Sequence, residues 1–300
     1  MDTEASRTAT PRRLASPPSL TPLLVKAILT AALRRGDQLP ATELVLEGVV
    51  AEPTELSDYA RVCGFRLTSD LPPTYPHILG FPLAMRLMTD PGFPFPLPGL
   101  VHASNLIVRH RPIPADAVLS VRVRADSLEP TDRGRQFAVR TEAYHSERLC
   151  WEEASWYLRL ERRGSADGSN RPDERDSASS LQAADAPGVP TAIWRIPGDA
   201  GKRYAAVSGD YNPIHRYTLG ARLAGFRKPI AHGMWTMARC LASLEGRLPD
   251  AFRSEFRFRR PITLGTTVGF GARWDDAAWR IGVTNPKTGK VYMTGRVESL

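Results

Sequence analysis

The sequence has few cysteines, no long apolar run and no nucleotide-binding loop, and each shortage excludes a class of protein. Its three cysteines, at positions 63, 150 and 240 of 300 residues, are widely spaced and odd in number. They form neither a disulfide framework nor a zinc-binding pattern, which favours a reducing, cytoplasmic location. No stretch approaches the ~20 apolar residues that span a bilayer. Because the sequence has no Gly-x-Gly-x-x-Gly pattern, no P-loop and no metal-ligand spacing, we expect no cofactor and no metal.

The positive charge of the chain is too small and too scattered to indicate a nucleic-acid partner. The net charge is +8, and residues 1–35 carry half of it. The basic residues are not interleaved with aromatic ones, as a platform that stacks on bases would require. A modest positive charge is enough, however, to attract a phosphate-bearing or acidic partner.

The first 38 residues form a leader that differs from the rest of the chain. Residues 1–18 are mainly Ser, Thr, Pro, Ala and Arg, a composition that predicts disorder. Residues 20–33 are apolar, and their length is close to that of a signal-peptide core. A Pro-rich stretch precedes them and Arg-Arg-Gly-Asp follows, so a short helix packed on the body is the favoured interpretation.

The remainder of the chain contains two copies of one sequence pattern. Three segments recur in the same order, 145 to 153 residues apart: 59–64 at 204–209, 79–86 at 232–239, and 110–113 at 259–262. Such a duplication predicts two similar units, which we place at 39–161 and 191–300. Residues 162–190 are rich in Gly, Ser, Ala and Asp and are predicted to be a flexible linker between the units.

Each unit combines an apolar helix with several strands. Apolar residues at i, i+3, i+4 and i+7 predict one buried helix face: Met234, Met237, Ala238 and Leu241. Alternating apolar residues predict strands around Leu119, Val121 and Val123, around Phe137 and Val139, and around Ile281 and Val283. A helix against an antiparallel sheet, twice over, is an α+β architecture.

The candidate chemistry is concentrated between residues 204 and 234. Asp210 and His215 flank Asn212-Pro213, in which Asn favours a helix N-cap and Pro the first helical turn. We therefore expect Asp210 in a loop and His215 in the first turn of the next helix, with their side chains close together. Gly233 is predicted to begin another helix, with its N–H facing the same point.

Neighbouring residues are expected to shape this site rather than react. Ser208 lacks the Gly-x-Ser-x-Gly setting of a nucleophile elbow and is expected to bond the backbone. His232 could act as a ligand or a base, but a structural role is favoured. The residues in this shaping set are Tyr204, Ser208, Gly209, Asn212, Pro213 and His232.

The runs Tyr204 to His215 and Pro229 to Met234 resemble the signature of the MaoC-like dehydratases, the type 2 or R-specific enoyl-CoA hydratases. The resemblance directly covers about thirty residues, and the duplicated body is similar to the two-repeat members of that family. It implies a double hot-dog fold, in which each repeat wraps an antiparallel sheet around a central helix. It also implies reversible hydration of trans-2-enoyl thioesters to (3R)-3-hydroxyacyl thioesters in fatty acid metabolism.

The resemblance assigns roles as well. Asp210 and His215 would be the acid–base pair, and the Gly233 N–H would receive the oxyanion. The acyl group would be carried by coenzyme A or by acyl carrier protein. The two repeats would form a pseudo-dimer within one chain, with a homodimer of chains also possible.

The first repeat lacks the catalytic pattern. Only fifteen residues separate Gly64 from Gly80, against twenty-three between Gly209 and Gly233, and the missing residues are those of the motif. Asp70 and His77 are the nearest candidates, but they do not share its spacing. We therefore expect the first repeat to be catalytically empty and, as in two-repeat relatives, to form the acyl tunnel.

Two other functions remain open from sequence alone. A hot-dog thioesterase would also bind acyl thioesters but would release a thiol. A non-catalytic acyl-thioester binding subunit would bind without turnover.

Overall fold

The computed structural model describes residues 10–31, 34, 36–161, 189–275 and 277–300. The helices are α1 (Leu20–Leu29), α2 (Pro53–Cys63), α3 (Tyr75–Met88), α4 (Ala200–Ser208), α5 (Pro213–Arg216), α6 (Thr218–Leu223) and α7 (Gly233–Ala242). The strands are β1 (Thr10–Leu14), β2 (Thr42–Val49), β3 (Leu100–Arg109), β4 (Leu119–Thr131), β5 (Gly134–His145), β6 (Arg148–Leu160), β7 (Ala192–Arg195), β8 (Phe252–Phe258), β9 (Thr267–Trp274), β10 (Ala278–Thr284) and β11 (Val291–Ser299).

The strands form one sheet whose order displays the duplication. The order is β1-β2-β4-β5-β6-β3-β8-β11-β10-β9-β7. Strands β8, β11, β10, β9 and β7 of the second repeat therefore correspond to β3, β6, β5, β4 and β2 of the first, in the reverse order across the sheet. Strands β3 and β8 join the halves in antiparallel register, from Ser104 opposite Arg257 to Arg109 opposite Phe252. The sheet is therefore continuous across two hot-dog units, and the predicted double hot-dog fold is confirmed. The predicted linker, 162–190, lies almost wholly outside the described residues.

The helices fill the concave side of this sheet. Helix α3 packs on β2, β4 and β5, while α2 packs on α4 and α7. The predicted apolar face of α7 is buried, with Met237, Ala238 and Leu241 completely inaccessible. On β4, Leu119, Val121 and Val123 are buried while their alternating neighbours are partly exposed, so the predicted period-two pattern is also present.

The two helix–loop junctions that recur in the sequence have the same geometry. Helix α2 ends at Gly64 with φ 83°, and α4 ends at Gly209 with φ 73°. Both values lie in the left-handed region, which glycine adopts without steric cost. Each glycine N–H bonds back to a carbonyl four residues earlier, Ala60 or Ala205. The equivalence of the two repeats thus extends to the helix end after which, in the second repeat, the loop with Asp210 follows.

The leader is more ordered than its composition predicts. Residues 10–14 form β1, which runs parallel to β2 at the edge of the sheet. The prediction of disorder over residues 1–18 is therefore wrong for this segment, because edge pairing uses backbone groups and needs no apolar side chains; residues 1–9 lie outside the described part. Helix α1 buries Leu23 and Ala27, as the packed-helix interpretation requires.

Within the described ranges, none of the helices combines the length and apolar character needed to cross a membrane.

Candidate active site

The loop after α4 is fixed by a chain of side chain to backbone hydrogen bonds. Ser208 Oγ accepts from the Asp210 N–H at 3.1 Å, and Asp210 Oδ1 accepts from the Asn212 N–H at 3.2 Å. Asn212 then caps α5, because its Oδ1 accepts from the Ile214 N–H at 3.3 Å. Short polar side chains that bond two residues ahead are typical of tight turns. Ser208 is thus a backbone-bonding residue, as the sequence predicts, and Pro213 occupies the start of α5.

His215 lies in this first turn of α5 and is oriented by its own hydrogen bond. Its Nδ1–H donates to the backbone oxygen of Ile230 at 2.9 Å, which leaves Nε2 as the acceptor in the neutral ring. Burial lowers the pKa of His215 below its ordinary value, although the Asp210 carboxylate acts in the opposite direction. The ring is therefore neutral at pH 7, with a lone pair available to take a proton.

Asp210, the other member of the predicted pair, stays partly open to solvent, with 33% of its side chain exposed. Burial acts to raise the pKa of Asp210. The His232 and His215 rings and the Asn212 N–H outweigh burial, so the pKa lies below its ordinary value. Since Oδ1 accepts the Asn212 N–H, the ionised carboxylate can offer Oδ2 to a bound water.

His232 contacts both Asp210 and His215, which the sequence does not indicate. It is the N-cap residue of α7, and its ring stacks on that of His215 with centroids 3.7 Å apart. Its Nε2–H donates to the backbone oxygen of Asp210 at 3.2 Å, while Nε2 is 3.7 Å from Asp210 Oδ2. Burial and His215 lower the pKa of His232 to about 3, so this ring is also neutral. It fixes the position of both neighbours.

Gly233 and Tyr204 complete the surroundings of the pair. Gly233 is the first residue of α7, where backbone N–H groups lack partners within the helix and the helix dipole favours negative charge. Tyr204 of α4 is buried, and its ring centroid is 4.9 Å from that of His232. Tyr204 is therefore a packing residue beside the site, as predicted.

The residues at this site fit a bound water better than a metal ion. Ligand-type atoms of Asp210, His215 and His232 lie within 4.8 Å of one another. The two imidazoles, however, are stacked with only 27° between their planes. A metal ion about 2.1 Å from a nitrogen of each ring would lie well out of both ring planes, where neither lone pair points. Asp210 Oδ2 and His215 Nε2 remain as acceptors for a bound water, because Asp210 Oδ1 and His215 Nδ1 are used in other hydrogen bonds.

A second polar group, a pairing that was not predicted from the sequence, lies nearby. His77 of α3 bonds through Nδ1 to both carboxylate oxygens of Glu153 on β6, at 2.8 and 2.9 Å. The His77 ring lies 6.0 Å from that of Phe81, and Phe81 Cδ1 lies 3.8 Å from the position of a Cβ on Gly209, so this pair is near the loop after α4. The available signal was Glu153 itself, an acidic residue in a strand position between the buried Trp151 and Ser155.

Fold and site together define a double hot-dog protein with a paired carboxylate and imidazole at a helix N-terminus. Residues 186–293 match the profile of the MaoC like domain. The 3-hydroxyacyl-thioester dehydratase X of Mycobacterium tuberculosis is 36% identical over 266 residues, which are 89% of this chain and 92% of that protein. This chain therefore belongs to the MaoC-like dehydratase family.

Solved structures agree with that assignment. The crystal structure of HtdX from Mycobacterium tuberculosis superposes with a TM-score of 0.74 at 33% identity, covering 86% of this chain and all of that one. A second protein of that organism, described as a double hotdog fold, gives a TM-score of 0.51 at 14% identity and covers 90% of this chain and 97% of its own. At that identity the likeness concerns the fold alone.

Proposed function

We propose that this chain adds water reversibly to trans-2-enoyl thioesters to give (3R)-3-hydroxyacyl thioesters, with Asp210 and His215 as the acid–base pair. The observation that carries the proposal is the pair itself: an ionised carboxylate and a neutral imidazole, with ligand-type atoms within 4.8 Å of one another, beside the N-terminus of α7. Membership of a dehydratase family supports the same reaction.

Each group has a defined task in the hydration direction. A water held by Asp210 Oδ2 and His215 Nε2 loses a proton to the pair as its oxygen attacks C3. Electrons of the C2–C3 double bond move toward the thioester, and the Gly233 N–H receives the negative oxygen of the enolate. The pair then returns a proton to C2, so the net change is one added water. General acid–base catalysis contributes about 10²- to 10⁴-fold, and one oxyanion donor about 3 kcal/mol.

The setting of the reaction follows from weaker observations. The carrier is coenzyme A or acyl carrier protein, either of which presents an acidic or phosphate-bearing surface to a basic chain. Cys63, Cys150 and Cys240 are free and buried, which supports a reducing, cytoplasmic location. The continuous sheet supports a pseudo-dimer within one chain, and further pairing into a homodimer remains part of the proposal.

A hydration assay with crotonyl-CoA, beside longer enoyl-CoAs, tests this function directly. We expect the enoyl absorbance to fall without release of free thiol, because the acid and base act at C2 and C3 and leave the thioester intact. Free thiol measured in the same cuvette would indicate a thioesterase. Saturable binding with no change in either signal would indicate the non-catalytic alternative, and both outcomes would contradict the proposal.

The acidic side of the pH profile is a further prediction. Catalysis requires ionised Asp210 and neutral His215, and the pKa of each lies below its ordinary value. Since a lowered pKa keeps the deprotonated form as pH falls, activity should persist below pH 6.5, the ordinary value for histidine. The check is kcat/KM measured from about pH 4 to about pH 9. An acidic limb centred at or above pH 6.5 would contradict the assignment.

A further inference from the structure

A buried polar cluster in the first repeat lies beside the active site. At its centre, the Glu153 carboxylate accepts from His77 Nδ1–H, from the Ser155 hydroxyl at 3.1 Å and from the Asn105 side-chain amide. Only 1% of the Glu153 side chain and 11% of the His77 side chain is exposed. Three donors from α3, β3 and β6 thus hold one carboxylate in the interior of the protein.

These contacts set the charges of the pair. Burial acts to lower the pKa of His77, but the Glu153 carboxylate and its hydrogen bond outweigh burial and raise it above the ordinary value. Burial acts to raise the pKa of Glu153, but His77 and Asn105 lower it overall. At pH 6.5 and somewhat below, the pair is therefore mainly an imidazolium and a carboxylate. Because buried ion pairs contribute little net stability, their retention in an interior is better explained by a function.

The free nitrogen of His77 faces accessible space. Nδ1 is occupied by Glu153, whereas Nε2 has no hydrogen-bond partner among the described residues. Nor is Nε2 one of the unpaired polar atoms that are completely buried. Since Nδ1–H is used by Glu153, Nε2 carries a proton only while the ring is cationic. His77 can thus present a charged N–H to a ligand, and loses that donor when it deprotonates.

His77 lies on the face of α3 that is turned toward the loop carrying Asp210. Phe81, one turn further along α3, has its ring centroid 6.0 Å from that of His77. Phe81 Cδ1 in turn lies 3.8 Å from the position that a Cβ on Gly209 would occupy. The α3 face that carries His77 therefore packs against the loop in which Asp210 follows Gly209, and the Asp210 charge acts on His77.

We propose that His77, held by Glu153, is a cationic hydrogen-bond donor of the active site whose Nε2–H binds an oxygen of the acyl-thioester substrate. The repeat without the catalytic motif would then supply a substrate-binding group, contrary to the expectation that it is empty. This inference rests on the proposed hydratase function. It adds no covalent step, because His77 binds substrate through a hydrogen bond and the proton transfers stay with Asp210 and His215.

The inference predicts a basic limb in the pH profile. A raised pKa means that the donor is present at low pH and is lost as pH rises through a value above 6.5. The other titratable groups around His77 and Asp210 keep their state in that range. Burial lowers the pKa of His102 to about 4, so this ring is already neutral. Burial raises the pKa of Tyr157 and of Tyr204, so both phenols stay protonated.

Two substitutions of His77 separate charge, hydrogen bonding and packing. His77→Gln keeps an N–H donor that does not titrate, so we expect substantial activity and no basic limb. His77→Leu removes the donor, and we expect kcat/KM at neutral pH to fall at least about ten-fold, the scale of a lost hydrogen bond to a charged group. Glu153→Gln removes the counter-charge, so the basic limb should move to lower pH.

A matched control lies on the same strand. His110 Nε2 bonds to Glu152 Oε1 at 2.9 Å, and Glu152 directly precedes Glu153, but the two side chains are 33% and 38% exposed. His110→Gln and Glu152→Gln should leave the rate and both limbs of the profile unchanged. Circular dichroism and thermal melting of each variant would verify folding.

The outcomes distinguish this inference from the proposed function. If the wild-type protein does not hydrate enoyl thioesters, the proposed function fails whatever the variants do. If the wild type is active, the variants decide. A folded His77→Leu protein that keeps wild-type rates, or one that is slower but retains the basic limb, would overturn the inference, since a purely structural role lowers activity without removing a titration. Should Glu153→Gln fail to fold, His77→Gln still gives the answer.

Discussion

Replacing Asp210 with Asn, or His215 with Ala, should lower kcat/KM for hydration at least ~100-fold while the protein stays folded. Asp210→Asn keeps the Oδ1 that accepts the Asn212 N–H, so the turn persists, but an amide cannot take a proton from water. His215→Ala removes the Nε2 acceptor. Asp210→Asn leaves no core cavity, because Asp210 is partly exposed. His215 is buried and its ring stacks on that of His232, so thermal melting of His215→Ala is measured beside its kcat/KM.

His145→Ala is the control for this experiment. His145 also directs Nδ1 at a backbone oxygen, that of Val118 at 3.2 Å, but it lies exposed at the end of β5. Its removal should leave hydration unchanged. Near-normal activity in a folded Asp210→Asn or His215→Ala protein would mean that another residue activates the water.

The features that the sequence predicted correctly are local ones. The turn around Asn212 depends on side chains that bond two residues ahead, and such preferences are visible in a short segment. The helix face of α7 and the alternation in β4 depend on the period of each element, which the order of apolar and polar residues records directly. The duplication could be recognised in the sequence because both repeats contain the same helix-ending pattern, with Gly64 in the first and Gly209 in the second.

What escaped prediction depends on contacts between segments far apart in the chain. His77 and Glu153 are separated by 76 positions, and nothing near either residue indicates the other. Their encounter requires α3 to pack on the sheet that contains β6, which only the folded chain determines. Strand β1 was missed for a related reason, since the open edge of β2 supplies its hydrogen bonds. The acyl tunnel assigned to the first repeat and the roles of the site residues stay predictions.

The orientation of His215 depends on another contact that the motif does not reveal. Gly201, in the first turn of α4, lies directly against the backbone carbonyl of His215. A Cβ at position 201 would overlap that oxygen and would also lie 3.3 Å from Leu264 Cδ1. The contact at Gly201 therefore sets the distance between α4 and α5. Because His215 belongs to α5, the same contact sets the position of its imidazole ring relative to Asp210.

Gly201→Ala should consequently impair both stability and catalysis. One added methyl group has no space, and overpacking of this kind typically costs about 1–3 kcal/mol of the free energy of unfolding. Helix α5 has only four residues and gives way more easily than α4, so His215 should move, and a displacement near 1 Å can lower the rate about 100-fold. Thermal melting and kcat/KM for hydration measure the two effects.

Gly198→Ala is the matched control, because a Cβ there meets no atom within 4 Å and should change neither quantity. Wild-type melting and hydration in Gly201→Ala would show that α5 does not depend on this contact for its position.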